Sequence, residues 1–302
     1  PTYREDWAFR ATYSYAGRYN IEYNGAYNGS EKFSKDNRFA FFNSGAIGWT
    51  ITEENFMKNL RDKHIIDMLK FRASYGEIGD DNLGPDPFDS TRRWLYMSQW
   101  AYGGNTVMDL DHTKSIYTWY RQNTLGNKDV KWETVKKTNF GVDYGFLGGL
   151  ITGSLDFFCD RRNDILIFGD NRSIPSYFGT TAPTINKGKV RTSGYELELK
   201  LNKKFANGIR LWGNFNMTHA KNKVLLKDDA QLTPNYQKEA GYSMGQYHSY
   251  IDRGFINDID DLIGSPAHES NDNHRLVGDY YIVDFNGDGV VDSKDSAPVG
   301  YS

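Results

Sequence analysis

Residues 194–203, GYELELKLNK, carry the pattern that decides the fold. A tyrosine and three leucines alternate strictly with two glutamates, a lysine and an asparagine. Successive side chains of a β-strand point to opposite faces, so this segment would have one apolar and one polar face. The pattern therefore predicts a strand that is exposed to water on one side only.

The same alternation recurs along the chain, and the sequence therefore predicts about eight strands. The other seven segments are WAFRATYSY (7–15), YNIEYNGAY (19–27), FAFFNSGAIGWTI (39–51), KFRASYG (70–76), TNFGVDYGF (138–146), TGSLDFFCD (152–160) and IRLWGNFNMTHA (209–220). One helix is predicted, in TEENFMKNLRD (52–62). Thr52 would cap this helix, and Glu53 and Glu54 would suit the positive end of its dipole.

The connections between the predicted strands alternate in length. The tight ones are AGR (16–18), LGGL (147–150) and KFANG (204–208). The long polar ones are near 28–38, 77–130, 162–192 and 221–300. The helical connection, 52–66, falls at the end of the strands where the other connections are tight turns, and it is the one exception to that pattern. Strands joined by tight turns predict antiparallel hairpins in an up-and-down order.

Two architectures fit these strands, a soluble β-sandwich and a transmembrane β-barrel. The strands of a β-sandwich also alternate apolar and polar residues, and their apolar side chains are buried between two sheets. The aromatic share of 15% favours the barrel, because outer-membrane barrels turn apolar side chains and aromatic girdles to lipid and enclose a polar interior. The charges on the predicted polar faces agree; they are Arg10, Glu22, Asp143, Asp156, Glu196, Glu198 and Lys200. We therefore predict an all-β, antiparallel, up-and-down transmembrane β-barrel.

Bulk composition argues against several classes of protein. The net charge of −3 argues against nucleic acid as a main partner, because nucleic acid requires a basic footprint. Cys159 is the single cysteine, so neither an internal disulfide nor a cysteine metal site is possible. No apolar run reaches the roughly 18 residues of a transmembrane helix. The chain begins without Met or an apolar signal core, so we expect a fragment of a longer protein.

The acidic segment GDYYIVDFNGDGVVDSKD (278–295) has the ligand spacing of a calcium loop, with Gly289 at the position where such loops turn sharply. The predicted ligands of one structural Ca²⁺ are Asp284, Asn286, Asp288, Val290 (through its carbonyl), Asp292 and Asp295. The last ligand is an aspartate where a glutamate is usual, which shortens its reach. The alternative is an acidic turn that binds only water. In either case we expect the segment to hold its loop in shape rather than to form a catalytic centre.

The connection from 92 to 120 is rich in aromatic residues, which are typical of sugar platforms and of protein interfaces. Six of them are candidate substrate-binding residues: Trp94, Tyr96, Trp100, Tyr102, Trp119 and Tyr120. Contact with a partner protein, packing within the loop and a place in an aromatic girdle are the alternatives for the same side chains.

No catalytic constellation is predicted, and the protein is not expected to be an enzyme. Glu196 and Glu198 share a strand face, but their spacing alone gives no acid–nucleophile geometry. The six histidines are scattered and include no HExxH pair.

Several segments, taken in order, resemble the C-terminal barrel region of SusC/RagA-type TonB-dependent outer-membrane transporters. They are YNGSEKF, FFNSGAIGWTITEENFM, LKFRASYGEIGDDN, VKWETVKKTNFGVDYGFLGGLITGSLDFF, NKGKVRTSGYELEL and GDYYIVDFNGDGVVDSKD. Each segment is modest alone, whereas the ordered set is specific. The departures are at Asn28, Glu31, Asp80, Lys187 and Thr192, and none of them removes a proposed ligand or reverses a strand face.

The resemblance implies a plugged barrel of about 22 strands, of which this chain would hold roughly a third. Residues 1–302 would belong to one barrel domain, and 221–302 would be a long extracellular region containing the calcium-type loop 284–295. The implied activity is active import of glycan fragments or peptides across the bacterial outer membrane. A SusD-like lipoprotein would be the outer lid, and TonB would act through an N-terminal part that precedes Pro1.

The alternative function is a soluble, secreted, β-rich carbohydrate-binding module with a structural calcium loop. The two functions differ in what covers the apolar face, which is lipid in a barrel and a second sheet in the module. An integral barrel would stay with outer membranes after high salt and alkali, whereas a binding module would wash off.

Substitutions on the two faces of residues 194–203 separate the barrel from the sandwich. Leu199→Arg should block membrane assembly, because a Lys or Arg that faces lipid at the bilayer midplane costs roughly 2–4 kcal/mol. Lys200→Leu should assemble normally, because its side chain would face the wet interior. The measurement is the amount of folded barrel in outer membranes, and equal tolerance of both substitutions would contradict the barrel.

Overall fold

The structure is a computed structural model that describes residues 3–83, 93–107, 116–169, 172, 174–270 and 272–301. The chain divides into two units, Pro1–Asn222 and Lys223–Ser302. The longer strands come first in the chain. They are β1 (Arg4–Tyr15), β2 (Tyr19–Ser30), β3 (Phe39–Thr50), β4 (Ile66–Asp80), β5 (Gln99–Val107), β6 (Ile116–Thr124), β7 (Glu133–Phe146), β8 (Ile151–Ile167), β9 (Ile185–Lys204) and β10 (Arg210–Leu226).

Eight of these strands form one antiparallel sheet, in the order β1-β2-β3-β4-β7-β8-β9-β10. The eight predicted strands and their up-and-down order are therefore confirmed. Strands β5 and β6 form a separate hairpin in the aromatic connection, where the sequence predicts no strand. A bulge between Tyr102 and Gly104 interrupts the period of two there and hides the alternation. The order of the described strands does not close on itself, as expected for part of a larger barrel.

The hydrogen-bonded register sorts the side chains of the large sheet onto two faces. Phe157 pairs with Tyr195 on one side, which we call the apolar face. Asp156 pairs with Glu196 on the other side, which we call the polar face. This sorting is the one that the alternation of the sequence predicts.

The apolar face exposes large side chains along most of its length. Rings on neighbouring strands contact one another, with centroids 5.2 Å apart for Tyr27 and Phe39 and 6.5 Å apart for Phe71 and Phe140. Its exposed side chains include Trp7, Phe9, Tyr13, Ile21, Ile47, Phe140 and Phe157. In a β-sandwich the corresponding side chains would be buried. A contiguous apolar surface of this extent marks contact with a membrane or a partner, and a barrel turns it to lipid.

The tight connection between β7 and β8 depends on left-handed backbone. Leu147, Gly148 and Gly149 have φ angles of 57°, 66° and 76°. Glycine adopts positive φ without the clash that a Cβ introduces. The two glycines therefore let the chain reverse at once and keep the two long strands paired.

The predicted helix over 52–62 forms only in part. The segment folds as two 3-10 turns followed by a short helix α1, Lys58–Asp62. The prediction that Thr52 caps a helix is wrong, because Thr52 is buried and its Oγ1 accepts a hydrogen bond from the Leu69 N–H at 3.4 Å. Among the described residues, no helix is both long and apolar enough to cross a membrane.

Aromatic side chains at the short-turn end of the sheet meet a carboxylate. The Tyr19 hydroxyl and the Trp49 indole both donate hydrogen bonds to Glu54 Oε1, at 2.6 and 3.2 Å. Arg18 Nη1 lies 3.5 Å from the other oxygen of the same carboxylate. Rings with an apolar body and a hydrogen-bonded tip are typical of a membrane–water interface.

A small buried core lies at the opposite end, where the long connections leave the sheet. The Trp132 side chain is only 3% exposed. Its ring centroid is 5.3 Å from that of Phe33 and 5.7 Å from that of Phe42, and its indole donates to the Arg38 carbonyl at 3.1 Å. The other buried members are Leu83, Leu95, Val130 and Leu166. These few apolar residues anchor connections that are otherwise polar.

The second unit has short elements. Helix α2, Ile259–Gly264, begins after Asp258, whose side chain accepts a hydrogen bond from the Asp261 N–H. The strands pair two by two: β11 (Gln246–Ser249) with β16 (Ala297–Tyr301), β12 (Asp252–Phe255) with β14 (Tyr280–Ile282) and β13 (Ala267–His268) with β15 (Val290–Val291). The predicted long region starts at 221 and this unit starts at Lys223. Its extracellular location stays a prediction.

Removing the central ring of the buried core should loosen the long connections. Trp132→Ala in the intact parent protein should lower the free energy of unfolding by about 3–5 kcal/mol, because it leaves a cavity under several connections. Denaturant titration measures the change, and hydrogen exchange around Phe33 and Arg38 should locate it. Trp212→Ala is the matched control, since Trp212 is 72% exposed. An equal loss in both variants would mean that the Trp132 cluster does not anchor the connections.

Candidate functional site

Ion pairs that cross strands hold the polar face together. Arg72 on β4 donates from Nε and Nη2 to the Asp143 carboxylate on β7, at 2.9 and 2.8 Å. The same Nη2 donates to Asp156 Oδ2 on β8 at 3.0 Å. The guanidinium passes Gly141, where a Cβ would lie 2.5 Å from Asp156 Oδ1 and 2.8 Å from Arg72 Nη2. Glycine at this position therefore leaves the room that the three-strand bridge needs.

Other charges of the polar face are also matched by opposite charges. Arg10 Nη2 donates to Glu22 Oε2 at 2.7 Å, and the Asn24 amide donates to the second oxygen at 2.9 Å. On β9, Lys200 Nζ lies 2.7 Å from Glu198 Oε1. Because many of its charges are paired, this face offers hydrogen-bonding groups without a strong field of either sign.

A groove runs over the polar face between β1 and β4. Its polar lining includes Thr12, Ser14, Asn20, Glu22, Lys70 and Arg72. Hydroxyl, amide, carboxylate and ammonium groups together can hydrogen-bond both donors and acceptors on a hydrated solute. The arrangement suits passage or weak binding of a polar molecule.

The six predicted aromatic residues lie close together in the chain but not on one surface. Trp100 and Tyr102 on β5 share a face of the hairpin with Tyr120 on β6, and the Tyr102 and Tyr120 rings meet edge to face at 6.0 Å. Trp119 lies on the other face, over Gly103, where a Cβ would be 2.4 Å from its ring. Trp94 and the half-buried Tyr96 precede the hairpin in a turn. Trp100 and Tyr120 are 65% and 64% exposed, so the hairpin face offers rings to a ligand.

An ion pair fixes the turn that carries Trp94. Arg93 Nη2 donates to Glu31 Oε1 at 2.9 Å, and the Arg93 guanidinium lies 5.0 Å from the centre of the Trp94 ring. The bond from Arg93 lowers the pKa of the Glu31 carboxyl below its usual value. Its stabilising contribution is therefore present at neutral pH and is lost as the pH falls through that lowered pKa. Sequence reasoning missed this pair, because nothing local links two residues so far apart in the chain.

The acidic loop is held by hydrogen bonds from its own backbone. Asp284 Oδ1 accepts from the Gly287 N–H at 2.7 Å, and Oδ2 accepts from the Gly289 N–H at 2.7 Å. The fully buried Asp295 carboxylate accepts from the N–H groups of Phe285, Asn286 and Asp292 at 2.7, 3.1 and 2.8 Å. Gly287 and Gly289 have φ angles of 76° and 92°, which other residues rarely adopt. The loop is thus folded around its carboxylates.

The remaining predicted ligands also bond within the loop. Asn286 Oδ1 accepts from the Asp288 N–H at 2.8 Å, and Asp288 Oδ1 accepts from the Val290 N–H at 3.0 Å. The Lys294 ammonium, 2.7 Å from Asp292 Oδ2, lowers the pKa of the Asp292 carboxyl. Among the described residues, no three His, Cys, Asp or Glu side chains are grouped as metal ligands would be. Calcium binding by this loop therefore stays a prediction.

Comparison with known proteins decides which barrel this sheet belongs to. The family model described as TonB dependent receptor-like, beta-barrel, matches residues 2–291. The chain belongs to this family. The apolar face is therefore the lipid-facing side of a bacterial outer-membrane barrel, and the predicted fold class and location are confirmed.

Members of the TonB-dependent receptor family that resemble the chain are much longer than it is. TonB-dependent receptor P3 of Formosa agariphila is 30% identical over 221 residues, which are 73% of this chain and 20% of that protein. TonB-dependent receptor SusC of Bacteroides thetaiotaomicron is 29% identical over 297 residues, which are 95% of this chain and 27% of that protein. The chain thus spans between a fifth and about a quarter of these relatives. Both are named as receptors and not as enzymes.

Solved structures show the same fold within this family. The RagAB peptide transporter superposes with a TM-score of 0.64 at 20% identity, over 82% of this chain and 26% of that chain. The RagAB peptide importer in its closed-closed state gives 0.69 at 17% identity, over 98% and 30%. The resemblance to SusC/RagA-type proteins is confirmed, and the soluble carbohydrate-binding module is set aside.

Proposed function

We propose that the chain is part of an active importer that carries glycan fragments or peptides across the bacterial outer membrane. The observation that supports the proposal is the large sheet, with an apolar face for lipid and a paired, polar face for a wet interior. Membership of the TonB-dependent receptor family supports TonB as the energy source for import. Because the chain spans only part of its relatives' length, the proposal concerns the whole protein to which the chain belongs.

The proposed mechanism divides the work between this chain and parts outside it. Substrate binds at the outer connections, and a SusD-like lipoprotein closes over it as a lid. TonB then acts on the N-terminal part, and a plug inside the barrel moves. The polar face of this chain is a section of the wall that the substrate passes. Because its charges are paired, it binds polar groups weakly enough for release, which passage through a pore requires.

We propose that the aromatic segment 92–120 supplies substrate contacts in the outer connections. The exposed rings of Trp100, Tyr102 and Tyr120 on one hairpin face support this role, since flat rings stack on sugar or peptide groups at little cost in conformational entropy. The ion pair of Arg93 with Glu31 holds the neighbouring turn in place. The alternative for the same rings is contact with the lipoprotein.

Loss of a ring from the hairpin should reduce uptake without reducing the amount of barrel. In cells that produce the full-length protein, Trp100→Ala or Trp119→Ala should lower uptake of labelled oligosaccharides or labelled peptides about tenfold, because anchor rings carry more than about 1 kcal/mol each. Tyr177→Ala is the control, since Tyr177 is an exposed aromatic residue of another connection. Weaker capture of the lipoprotein with normal substrate binding would assign the rings to the lid.

Two outcomes would contradict these proposals separately. Normal uptake in both tryptophan variants would remove the segment from the substrate site but leave the importer in place. No uptake of either substrate class by the unaltered protein, assembled in the membrane with its lipoprotein, would contradict import itself.

We also propose that loop 284–295 binds one Ca²⁺ as a structural ion. The spacing of hard oxygen donors supports it, as does the bond from the Gly289 N–H to Asp284, which winds the chain around its first ligand. The ion would offset the repulsion among the carboxylates of Asp284, Asp288, Asp292 and Asp295. The aspartate in the last position and the backbone bonds already made favour weak binding.

Calorimetry on the full-length protein tests the calcium proposal. We expect binding with a Kd of about 10⁻⁴–10⁻³ M that disappears in Asp288→Ala. Asp260→Ala, which removes an exposed acid from α2, should leave the binding heat unchanged. No binding heat in the unaltered protein would refute the calcium site and would leave the import proposal untouched.

A further inference from the structure

A row of basic side chains crosses the apolar face at the end where the long connections leave the sheet. Lys136 on β7 pairs in register with Arg161 on β8, and Arg161 pairs with Arg191 on β9. Register partners share a face, and all three side chains are exposed. Four residues toward the middle of the sheet, the same strands carry on the same face Phe140, Phe157 and Tyr195.

Further basic residues extend this row. Lys189 follows on β9 with the parity of Arg191, and its side chain is exposed. On β10, Lys221 has the parity of His219, whose ring contacts Tyr195 on the apolar face at 5.5 Å. We call Lys136, Arg161, Lys189, Arg191 and Lys221 the basic row. One carboxylate meets it from β4, where Glu77 Oε1 lies 3.0 Å from Lys136 Nζ.

The two arginines at the centre of the row have no counter-charge among the described residues. Within the described part of the chain, neither Arg161 nor Arg191 forms an ion pair or a side-chain hydrogen bond. Like charges directly opposite each other on neighbouring strands destabilise a sheet. By contrast, Arg10 and Arg72 on the polar face both have carboxylate partners. The contrast indicates that the counter-charge of Arg161 and Arg191 comes from outside the part of the chain that the structure describes.

The depth of the row matches that of lipid headgroups. On β8 the uncharged part of the apolar face runs from Ile151 to Cys159, and Arg161 comes next. Eight residue steps of about 3.4 Å, on a strand tilted by about 40°, give a belt of about 21 Å along the membrane normal, close to the roughly 25 Å of outer-membrane barrels. The row therefore borders the hydrocarbon region. It lies on the side of the long connections, which barrels of this kind turn to the cell exterior.

We propose that the basic row binds the phosphate groups of an anionic lipid headgroup in the outer leaflet of the membrane. Arginine guanidinium groups bind phosphate oxygens in pairs, and two of them side by side provide such a site. The apolar belt next to the row would receive the acyl chains of the same lipid, which free phosphate lacks. The inference rests on the proposed outward direction of the long connections and is independent of the imported substrate.

Native mass spectrometry of the full-length protein in detergent tests the basic row. The probes are bisphosphorylated lipid A, the same glycolipid without its phosphates, and inorganic phosphate alone. The unaltered protein should retain the bisphosphorylated lipid and not the dephosphorylated one. Arg161→Gln with Arg191→Gln should weaken retention about 30-fold, the combined effect of two basic side chains near an anionic surface.

The matched control removes two charges from the same region but from the polar face. Lys137→Gln with Arg162→Gln changes the neighbours of Lys136 and Arg161, and it should leave lipid retention unchanged. Arg191→Lys keeps the charge and should retain the lipid. If the double arginine variant fails to assemble, Arg161→Gln alone should show about a fivefold loss.

Three results would overturn the inference. They are equal losses in the two double variants, equal retention of the dephosphorylated lipid, and displacement of the lipid by inorganic phosphate at similar concentration. Since the readout is lipid bound to purified protein, failure here leaves the import proposal standing. Normal lipid binding with no uptake would contradict import alone.

Discussion

The sheet depends on the coupling between a two-residue side-chain period and a fixed hydrogen-bonded register. Each strand has only two faces, so once one pair of residues is aligned, the side of every other residue follows. Shifting β8 by one residue against β7 would turn Asp156 toward lipid and Phe157 into the wet interior. Because both errors are costly in a membrane, the register is specified along the whole strand. The lipid on one side of the sheet and the water on the other therefore both favour the same strand register.

Much of the fold is readable in the sequence because this constraint is local. The alternation in 194–203 and in seven other segments predicts the strands and both faces, and tight connections predict the antiparallel neighbours. Features that depend on distant residues are not readable in the same way. Trp132 packs against Phe33 and Phe42, which are distant in the sequence, and Thr52 lies in a buried turn instead of capping a helix. At both positions, tertiary packing determines the surroundings of the side chain, and the local sequence pattern does not.

The candidate site divides in the same manner. The alternation of the sequence predicts which charged residues lie on the polar face. It does not predict that Arg72 bonds to carboxylates on two other strands. The aromatic connection is recognisable by composition, but the pairing of Tyr102 with Tyr120 is what places Trp119 on the face opposite Trp100. In the acidic loop the spacing is visible in the sequence, yet the carboxylates of Asp284 and Asp295 already satisfy backbone N–H groups. Composition therefore identifies the candidate segments, and only the structure shows what each side chain contacts.

The bridge made by Arg72 has a mechanical consequence for the wall of the barrel. One guanidinium ties β4, β7 and β8 together through directional bonds that run across the strands. Sliding one of these strands along the next would therefore break the side-chain bonds as well as the backbone hydrogen bonds of the ladder. At the level of Gly141 the wall is thus stiffened against shear.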